Sequence, residues 1–461
     1  MKKNSRLSLL IITVLILCLL SSCGVKNNEK KQKLTEHQIA WIADIDGPLR
    51  DGLAKAVGVN EYLSDEERNA RLDTLIQRIE TEHLDDFEII VAIQELISDI
   101  HIAHIQFFPG NEYKEGYEEI YCIIGEWFAD GFYITNATAD NKECLGARLV
   151  AINGIDLEEI LNRYDKIYVN ETRSWLKYKF EYESWRTGFV QRELEYLGIV
   201  EIGDKEAIFT FEKDGERFEE NVKPIKIDEI QYQEFVSIDE QIEALPYGEA
   251  IYINNEQAPF CYEIDKENKA MYFQYNECMD VTVKVDDKDT SNYPNFAETF
   301  DSMIEEMKAN ETDIDCLVID LRNNGGGSEQ LLNNALEKHR EFIKKYPIKV
   351  LIGKAVFSSG QDAIDMLLHM FDDVTLYGEE TGQAIHNYTF ITGVKLEKTG
   401  GNIYITQQKD YCYEIHKRAE DIHAGVMPDV EVLQTFEGYI NGVDEVYLRA
   451  VESVYVPMKS E

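Results

Sequence analysis

Several patterns that mark common classes of protein are missing from this chain of 461 residues. No two of its cysteines form a CxxC pair and no HExxH sequence occurs, so nothing predicts a zinc site. Its glycine-rich stretch has neither the GxGxxG spacing nor the lysine of a P-loop, so a nucleotide-phosphate site is not indicated. Internal repeats and low-complexity segments are absent as well.

Positive charge is scarce. Lysine and arginine number 46 against 87 acidic residues, which gives a net charge of −41. Because nucleic-acid phosphates require a basic surface, a nucleic-acid partner is excluded. The hydrophobic fraction of 44% is ample for buried cores, and the length favours two or three domains. We therefore expect folded domains with a well-hydrated acidic surface.

A short apolar run stands at the N-terminus, after three basic residues. Residues 7–20 are too few to span a bilayer comfortably and are typical of a secretion signal. The run ends in LSSCG (20–24), which resembles the bacterial lipoprotein signal. That resemblance implies removal of residues 1–22, a lipid anchor on Cys23 that holds the protein at the outside of the cell membrane, and a polar tether over residues 23–35. The alternative is an ordinary signal with an incidental cysteine.

The cysteines beyond Cys23 stand mostly in apolar stretches. We predict that they are buried thiols and form neither a zinc site nor a disulfide framework. They are Cys122, Cys144, Cys261, Cys278, Cys316 and Cys412.

The periodicity of the chain changes twice. Residues 36–100 follow a helical pattern, with Ser64 as a cap candidate and a second helix over about 85–99. Residues 118–226 contain short strands, an Asn153-Gly154 turn and an aromatic-rich helical stretch. Beyond about residue 247, strands and helices alternate, which predicts a mostly parallel sheet with helices on its faces.

The stretch AVFSSGQDAI (355–364) joins a predicted strand, 349–357, to a predicted helix. Ser358, Ser359 and Gly360 stand at this junction, where hydrolases often place an attacking serine. A serine that only caps the next helix is the alternative interpretation.

A second stretch, LVIDLRNNGGGS, reads as a buried strand over 317–321 followed by three glycines. Ligands bind at the carboxyl ends of strands in open α/β sheets. The unshielded N–H groups of this loop are suited to hold an oxyanion beside a serine on the neighbouring strand. A plain flexible turn is the alternative.

Four motifs in this order, IDLRNNGGGS, VFSSGQDA, LYGEETGQ and GVMPDVEV, resemble those of the tail-specific or carboxy-terminal processing serine peptidases. The similarity is closest to the lipoprotein and tricorn/retinoid-binding-protein-like branch. It implies an α/β catalytic core over residues 246–461, with crotonase-like ββα alternation and a mostly parallel sheet. It also implies a PDZ-like module with a helical insertion over 116–228 and a helical N-terminal region over 36–115.

Carried over to this sequence, the resemblance implies that Ser359 is the nucleophile. The N–H groups of Gly326 and Gly360 match the oxyanion donors. Many members use a lysine as the base, but Ala384 stands at that position here. The histidine-using branch points instead to His101, in SDIHIAH, although Ile100 replaces the glycine of the family's motif.

The acid that orients this histidine is expected at Glu420 or Asp421. His104, His386 and His423 are alternatives to His101. The spacing of His101 and His104 also occurs in metal sites, but no third ligand is evident, so no metal is expected.

The resemblance implies a serine endopeptidase of the C-terminal processing type that hydrolyses extracytoplasmic proteins or peptides without a cofactor. The alternative is a cell-surface lipoprotein of the same fold that binds peptides or other ligands and no longer turns them over.

Overall fold

The computed structural model describes residues 33–113, 116–238, 252, 257–283 and 288–452. The predicted signal, Cys23 and most of the predicted tether lie outside these residues. Within them, no helix is both long enough and apolar enough to cross a membrane.

Helices make up the first part of the described chain. Ser64 and Asp85 each accept a hydrogen bond from the backbone N–H three residues ahead, so two helices begin where the sequence predicts. A π-helical turn, Ile45–Leu49, joins the first two helices. The helices are α1 Glu36–Asp44, α2 Arg50–Lys55, α3 Val59–Tyr62, α4 Asp65–Glu82 and α5 Asp86–Ser98.

Short antiparallel strands and three helices follow. Strands β11-β4-β5-β8-β9 form one sheet in that order, with β3 beside β4 and β6 beside β5, while β10-β2-β7 form a smaller one. Asn153 and Gly154 both have positive φ, at 49° and 75°, in the predicted turn between β5 and β6. The strands are β1 Gln106–Phe108, β2 Glu119–Tyr121, β3 Ile123–Phe128, β4 Gly131–Thr138, β5 Arg148–Ile152, β6 Ile155–Asp156, β7 Phe189–Val190, β8 Ala207–Lys213, β9 Glu216–Val222, β10 Ile225–Lys226 and β11 Phe235–Ser237. The helices are α6 Leu157–Tyr164, α7 Arg173–Thr187 and α8 Gln191–Tyr196.

The rest of the described chain is built on a six-stranded sheet of order β12-β13-β14-β15-β16-β19. Only the β12–β13 pair is antiparallel, so the predicted mostly parallel sheet is confirmed. The strands are β12 Phe260–Asp265, β13 Ala270–Tyr275, β14 Cys316–Asp320, β15 Ile348–Ile352, β16 Val374–Gly378, β17 Tyr388–Lys395, β18 Asn402–Lys409 and β19 Val430–Glu431. The helices are α9 Phe296–Ala309, α10 Gln330–Ile343, α11 Ser359–Met370, α12 Tyr413–Arg418, α13 Phe436–Ile440 and α14 Glu445–Ala450.

Strand β15 is shorter than predicted. It ends at Ile352, and residues 353–357 leave the sheet in a turn in which the Val356 N–H donates to the Gly353 carbonyl. The chain stays apolar beyond the strand because Val356 and Phe357 are buried in side-chain clusters. The prediction of a strand to residue 357 was wrong because a short apolar run reports burial and does not by itself distinguish a strand from a buried turn.

The N-terminal helices are packed onto the hairpin β17–β18, far away in sequence. Strand β1 pairs with β18, so that Gln106, Phe107 and Phe108 extend the hairpin to three strands. Ile403 and Ile405 of β18 belong to the same buried cluster as the helices. This hairpin therefore brings the helical region to the edge of the predicted catalytic core.

The cysteines that lie among the described residues are all unpaired. Cys261 is partly buried and the others are buried. The prediction of buried thiols is confirmed for these five, and no disulfide joins any pair in the described part of the chain.

Candidate active site

Ser359 is the first residue of α11 and is buried, with 7% of its surface exposed. Its hydroxyl donates a hydrogen bond to the Gly327 carbonyl at 2.9 Å. Ser358, which precedes the helix, makes no side-chain capping bond. The simple capping role that the sequence left open is therefore absent from this junction.

The backbone at Ser358 is unusual, with φ 51° and ψ −128°. A non-glycine residue in this region carries strain of order 1–3 kcal/mol, and such residues cluster at functional sites. The Ser358 N–H donates to the Gln383 side-chain oxygen, which holds the turn in place. The turn places the next residue, Ser359, against the glycine loop.

The glycine loop follows β14 and packs directly on the two serines. Gly326 and Gly327 have φ of 104° and 136°. A Cβ on Gly326 would lie 2.7 Å from the Ser358 Cβ and 3.0 Å from the Ser359 nitrogen, so only glycine fits there. Gly360 is equally close to the loop, since a Cβ there would lie 2.4 Å from the Asn324 carbonyl oxygen. The structure thus brings the predicted nucleophile and both predicted oxyanion glycines together.

The two predicted oxyanion donors already have partners. The Gly326 N–H donates to the Asn324 side-chain oxygen at 2.9 Å, and the Gly360 N–H donates to the Phe357 carbonyl at 2.9 Å. Among the hydrogen bonds of the described residues, none uses the N–H of Ser359 or of Gly327. Gly326 and Gly360 must therefore give up these acceptors to bind an oxyanion.

His101 lies in the turn after α5, with a left-handed backbone of φ 50° and an exposed side chain. Its Nδ1 is 3.3 Å from the Asn170 carbonyl, which can only accept, so Nδ1 carries the hydrogen. This tautomer leaves Nε2 free to take up a proton, as a general base requires. The hydroxyl of Ser359 bonds to the glycine loop, and no hydrogen bond joins it to His101.

His104 lies in a different environment from His101. It is buried, its ring stands 4.6 Å from the Phe357 ring, and burial lowers its pKa to about 4. Its Nδ1 is 3.5 Å from the Gln383 side-chain nitrogen, and the same glutamine accepts from Ser358. Gln383 therefore bridges His104 to the serine turn.

His386 belongs to a separate cluster on the loop after β16. Its Nε2 lies 2.9 Å from a Glu61 carboxylate oxygen, and its ring is 5.3 Å from that of His423. Hydrogen bonds from Tyr388 and His386 hold the pKa of Glu61 below its usual value. The alternative histidines His386 and His423 thus contact each other and a carboxylate from α3.

The predicted orienting acids, Glu420 and Asp421, are both exposed. Asp421 accepts from the His423 N–H at 2.9 Å, and neither carboxylate is bonded to His101. The loop that carries His101 and His104 is named the histidine loop. The carboxylate beside it is that of Glu171, which accepts a hydrogen bond from the Ala103 N–H. Sequence reasoning missed Glu171, because this residue stands in no local pattern that marks it, and it gave Gln383 no role although Gln383 ends the motif LYGEETGQ.

Lys354, five residues before Ser359, is not placed as a base. It pairs with Glu181 at 3.1 Å and donates to the Trp127 carbonyl. Burial alone would lower the pKa of Lys354, but the carboxylates of Glu181 and Glu379 outweigh it and raise that pKa. The lysine therefore stays protonated, as its ion pair requires.

One turn into α11, Asp362 lies beside Asp410 and Cys412. The ligand atoms of these three side chains are within 4.8 Å of one another. Burial, followed by the neighbouring Asp410, raises the pKa of Asp362 to about 8. Asp362 therefore keeps its proton to a higher pH than an ordinary carboxyl group does.

Comparison with solved structures identifies the fold. Mature CPAF complexed with lactacystin superimposes with a TM-score of 0.60 at 14% identity, over 91% of this chain and 98% of that one. A second structure of mature CPAF gives 0.60 at 13% identity, over 91% and 96%. The photosystem II D1 C-terminal processing protease overlays more loosely, with a TM-score of 0.38 at 12% identity, over 89% and 99%.

No family model matches the chain, and no curated protein matches it either. The fold is nevertheless that of mature CPAF over nearly the whole of both chains. Membership of the tail-specific and C-terminal processing peptidases is what the sequence motifs predict. The PDZ-like character of the middle module and the crotonase-like character of the core remain predictions.

Proposed function

We propose that this protein is a serine peptidase of the C-terminal processing type, with Ser359 as its nucleophile. The observation that carries the proposal is the packing of the Ser358–Ser359 turn on the glycine loop at the carboxyl ends of two neighbouring strands. A small nucleophile and several N–H groups meet there, which is what acyl transfer requires.

In the proposed reaction the Ser359 hydroxyl leaves the Gly327 carbonyl and attacks the carbonyl carbon of a peptide bond. His101 accepts the hydroxyl proton on Nε2 and then donates it to the leaving amine, while its Nδ1–H stays on the Asn170 carbonyl. The N–H groups of Gly326 and Gly360 stabilise the oxyanion in place of their present acceptors, the Asn324 side chain and the Phe357 carbonyl. Water then hydrolyses the acyl-enzyme, so the cycle needs no cofactor.

The proposed substrates are extracytoplasmic proteins or peptides, and the proposed location is the outer face of the cell membrane, reached through a lipid anchor on Cys23. The LSSCG sequence after a short apolar run supports this setting.

A peptide-library digest with mass readout tests the function. The purified protein and its Ser359→Ala variant are compared under the same conditions. We expect cleavage near the carboxyl termini of peptides by the first and none by the second. Scattered internal cuts would contradict the tail-specific mode, and equal cuts by both proteins would contradict Ser359. Binding of peptides with no cleavage by either protein would indicate the non-catalytic alternative.

A further inference from the structure

A short segment that leads from the loop after α6 into the first turn of α7 contacts the loops that surround the candidate site. We name residues 170–175 the bracing segment. Its Thr172 hydroxyl donates to the Gly382 carbonyl at 2.7 Å, and its Ser174 hydroxyl donates to the Glu380 carboxylate at 2.7 Å. Its Trp175 ring stacks on that of Phe357, with centroids 4.3 Å apart. The segment therefore contacts both the loop after β16 and the turn before the serines.

Glu171 is the second residue of this segment and accepts hydrogen bonds from two loops at once. One carboxylate oxygen accepts from the Ala103 N–H at 2.8 Å, in the loop that carries His101 and His104. The other oxygen accepts from the Ala384 N–H at 3.0 Å, directly after Gln383. The loop that contains Gln383 and Ala384 is named the Gln383 loop. The Glu171 side chain thus fixes the separation of the histidine loop and the Gln383 loop.

The surroundings of Glu171 disfavour its charge. Burial raises the pKa of Glu171 to about 7, against the two N–H bonds that lower it. Tyr62 of α3 faces it, and the pKa of Tyr62 is raised to about 12 by burial and then by the Glu171 charge. His101 and His104 flank the Ala103 N–H on the histidine loop. The carboxylate is therefore held mainly by the two backbone groups that it joins.

We propose that Glu171 is a positioning residue, whose carboxylate holds the histidine loop and the Gln383 loop at the separation that lets the base reach Ser359. This inference rests on the proposed function. Glu171 touches neither the nucleophile nor the imidazole of His101, and it acts through the backbone of both loops.

Because the two Glu171 oxygens each accept one backbone N–H, the Glu171→Gln variant tests the positioning role specifically. A carboxylate presents two acceptor oxygens, whereas an amide presents one acceptor and one NH₂ donor. In Glu171→Gln, the N–H of either Ala103 or Ala384 must face the side-chain NH₂ group, which is a donor. One of the two loops therefore loses its hydrogen bond to residue 171, while the size and shape of that side chain are kept. Glu159→Gln on α6 is the matched control, because Glu159 is exposed and pairs only with Arg163 one turn away.

Two readouts are taken on the wild type and both variants: the rate of fluorophosphonate labelling at saturating reagent, and hydrogen exchange of peptides that contain Ala103 and Ala384. For Glu171→Gln we expect labelling about tenfold slower with little change in reagent affinity, and about tenfold faster exchange in at least one of the two loops. Glu159→Gln should match the wild type in both. Unchanged labelling, or unchanged exchange in both loops, would overturn the proposal.

A measurement that needs no substitution at Glu171 guards against a variant that does not fold. Burial raises the pKa of Glu171 to about 7, above that of an exposed carboxyl group, so opening of the loops becomes easier as the group ionises, and exchange at Ala103 and Ala384, corrected for the intrinsic rate, should rise by about threefold or more between pH 6 and 8. The effect should persist in His101→Ala, and its loss there would assign it to the histidine and overturn the proposal. If the wild type is not labelled at all, the proposed function fails, and exchange alone decides whether Glu171 holds the loops.

Discussion

The two histidines of the histidine loop, His101 and His104, differ mainly in their exposure to solvent. His101 is exposed and has a free Nε2, whereas His104 is buried beside Phe357 with its pKa lowered to about 4. A base must reach the serine and must be able to hold a proton at the working pH. Of these two histidines, His101 has the exposed imidazole with a free Nε2, whereas burial lowers the pKa of His104 and keeps its imidazole neutral near neutral pH.

The choice of base can be tested by substitution. We expect His101→Ala to lower the rate of peptide hydrolysis by about 10² or more with little change in peptide binding, because the lost group acts on proton transfer. His386→Ala should matter far less, since that imidazole is engaged by Glu61. Initial rates from pH 4 to 9 check both expectations.

The pH profile of peptide hydrolysis distinguishes His101 from His104 as the base. A base with an ordinary histidine pKa gives an acid limb at roughly pH 6 to 7. An acid limb near pH 4 that disappears on substitution of His104 would transfer the role to that residue. Loss of turnover in His386→Ala together with its survival in His101→Ala would place the base on the loop after Gly382.

At the scale of structural elements, the site is a junction of two strand ends, a glycine loop and the start of α11. The loop turns back at Gly326 and Gly327 and accepts the Ser359 hydroxyl on its carbonyl. Because Gly326 lies against the Ser358 side chain, any widening of the loop displaces the serine turn. The loop and the turn therefore act as one unit.

Two adjacent alanine substitutions test this unit. Gly326→Ala should lower the free energy of unfolding by about 1–3 kcal/mol and slow serine labelling, because its φ is 104° and its Cβ would lie 2.7 Å from that of Ser358. Gly325→Ala is the control, since a Cβ there meets nothing within 4 Å. Urea unfolding and labelling rates measure the difference. Equal behaviour of the two variants would contradict the close packing.

This junction could be predicted from the sequence because its parts carry local signals. An apolar run followed by glycines marks the end of β14, and a second apolar run leads to the two serines, although β15 itself already ends at Ile352. Parallel strands bring their carboxyl ends to one edge. Glu171 could not be found in this way. Its partners are at residues 103 and 384, it stands among 87 acidic residues, and only the folded chain brings the three segments together.

On the scale of the whole molecule, the N-terminal helices are tied to the predicted catalytic core by a buried carboxylate. Asp44 is 1% exposed and accepts from the N–H groups of Lys398 and Thr399 and from the Thr399 hydroxyl, in the turn between β17 and β18. The histidine loop follows these helices in the chain, so this contact helps to fix where the loop lies.

Removal of the Asp44 carboxylate should destabilise the fold. We expect Asp44→Ala to lower the free energy of unfolding by about 2–5 kcal/mol, because it leaves buried N–H groups without an acceptor. Asp46→Ala, at an exposed carboxylate paired with Arg50, should change it by no more than about 0.5 kcal/mol. Urea unfolding compares them, and a similar cost for both variants would show that Asp44 does not tie the regions together.

The proposed membrane anchor is tested separately from catalysis. If Cys23 carries lipid, Cys23→Ser should release the protein from membranes or block cleavage of the signal. Cell fractionation and the mass of the N-terminal peptide report both events. A variant that is fully processed and still bound to membranes would contradict lipidation at this cysteine.

If Ser359 is an activated nucleophile, the most direct measurement is the site of fluorophosphonate labelling, mapped by peptide mass. We expect one adduct on Ser359 in the wild type, its retention in Ser358→Ala and its loss in Ser359→Ala. The two serines are adjacent and share one turn, so each variant controls for the other. An adduct on Ser358, or a folded wild type that does not react, would contradict the role of Ser359 as the nucleophile.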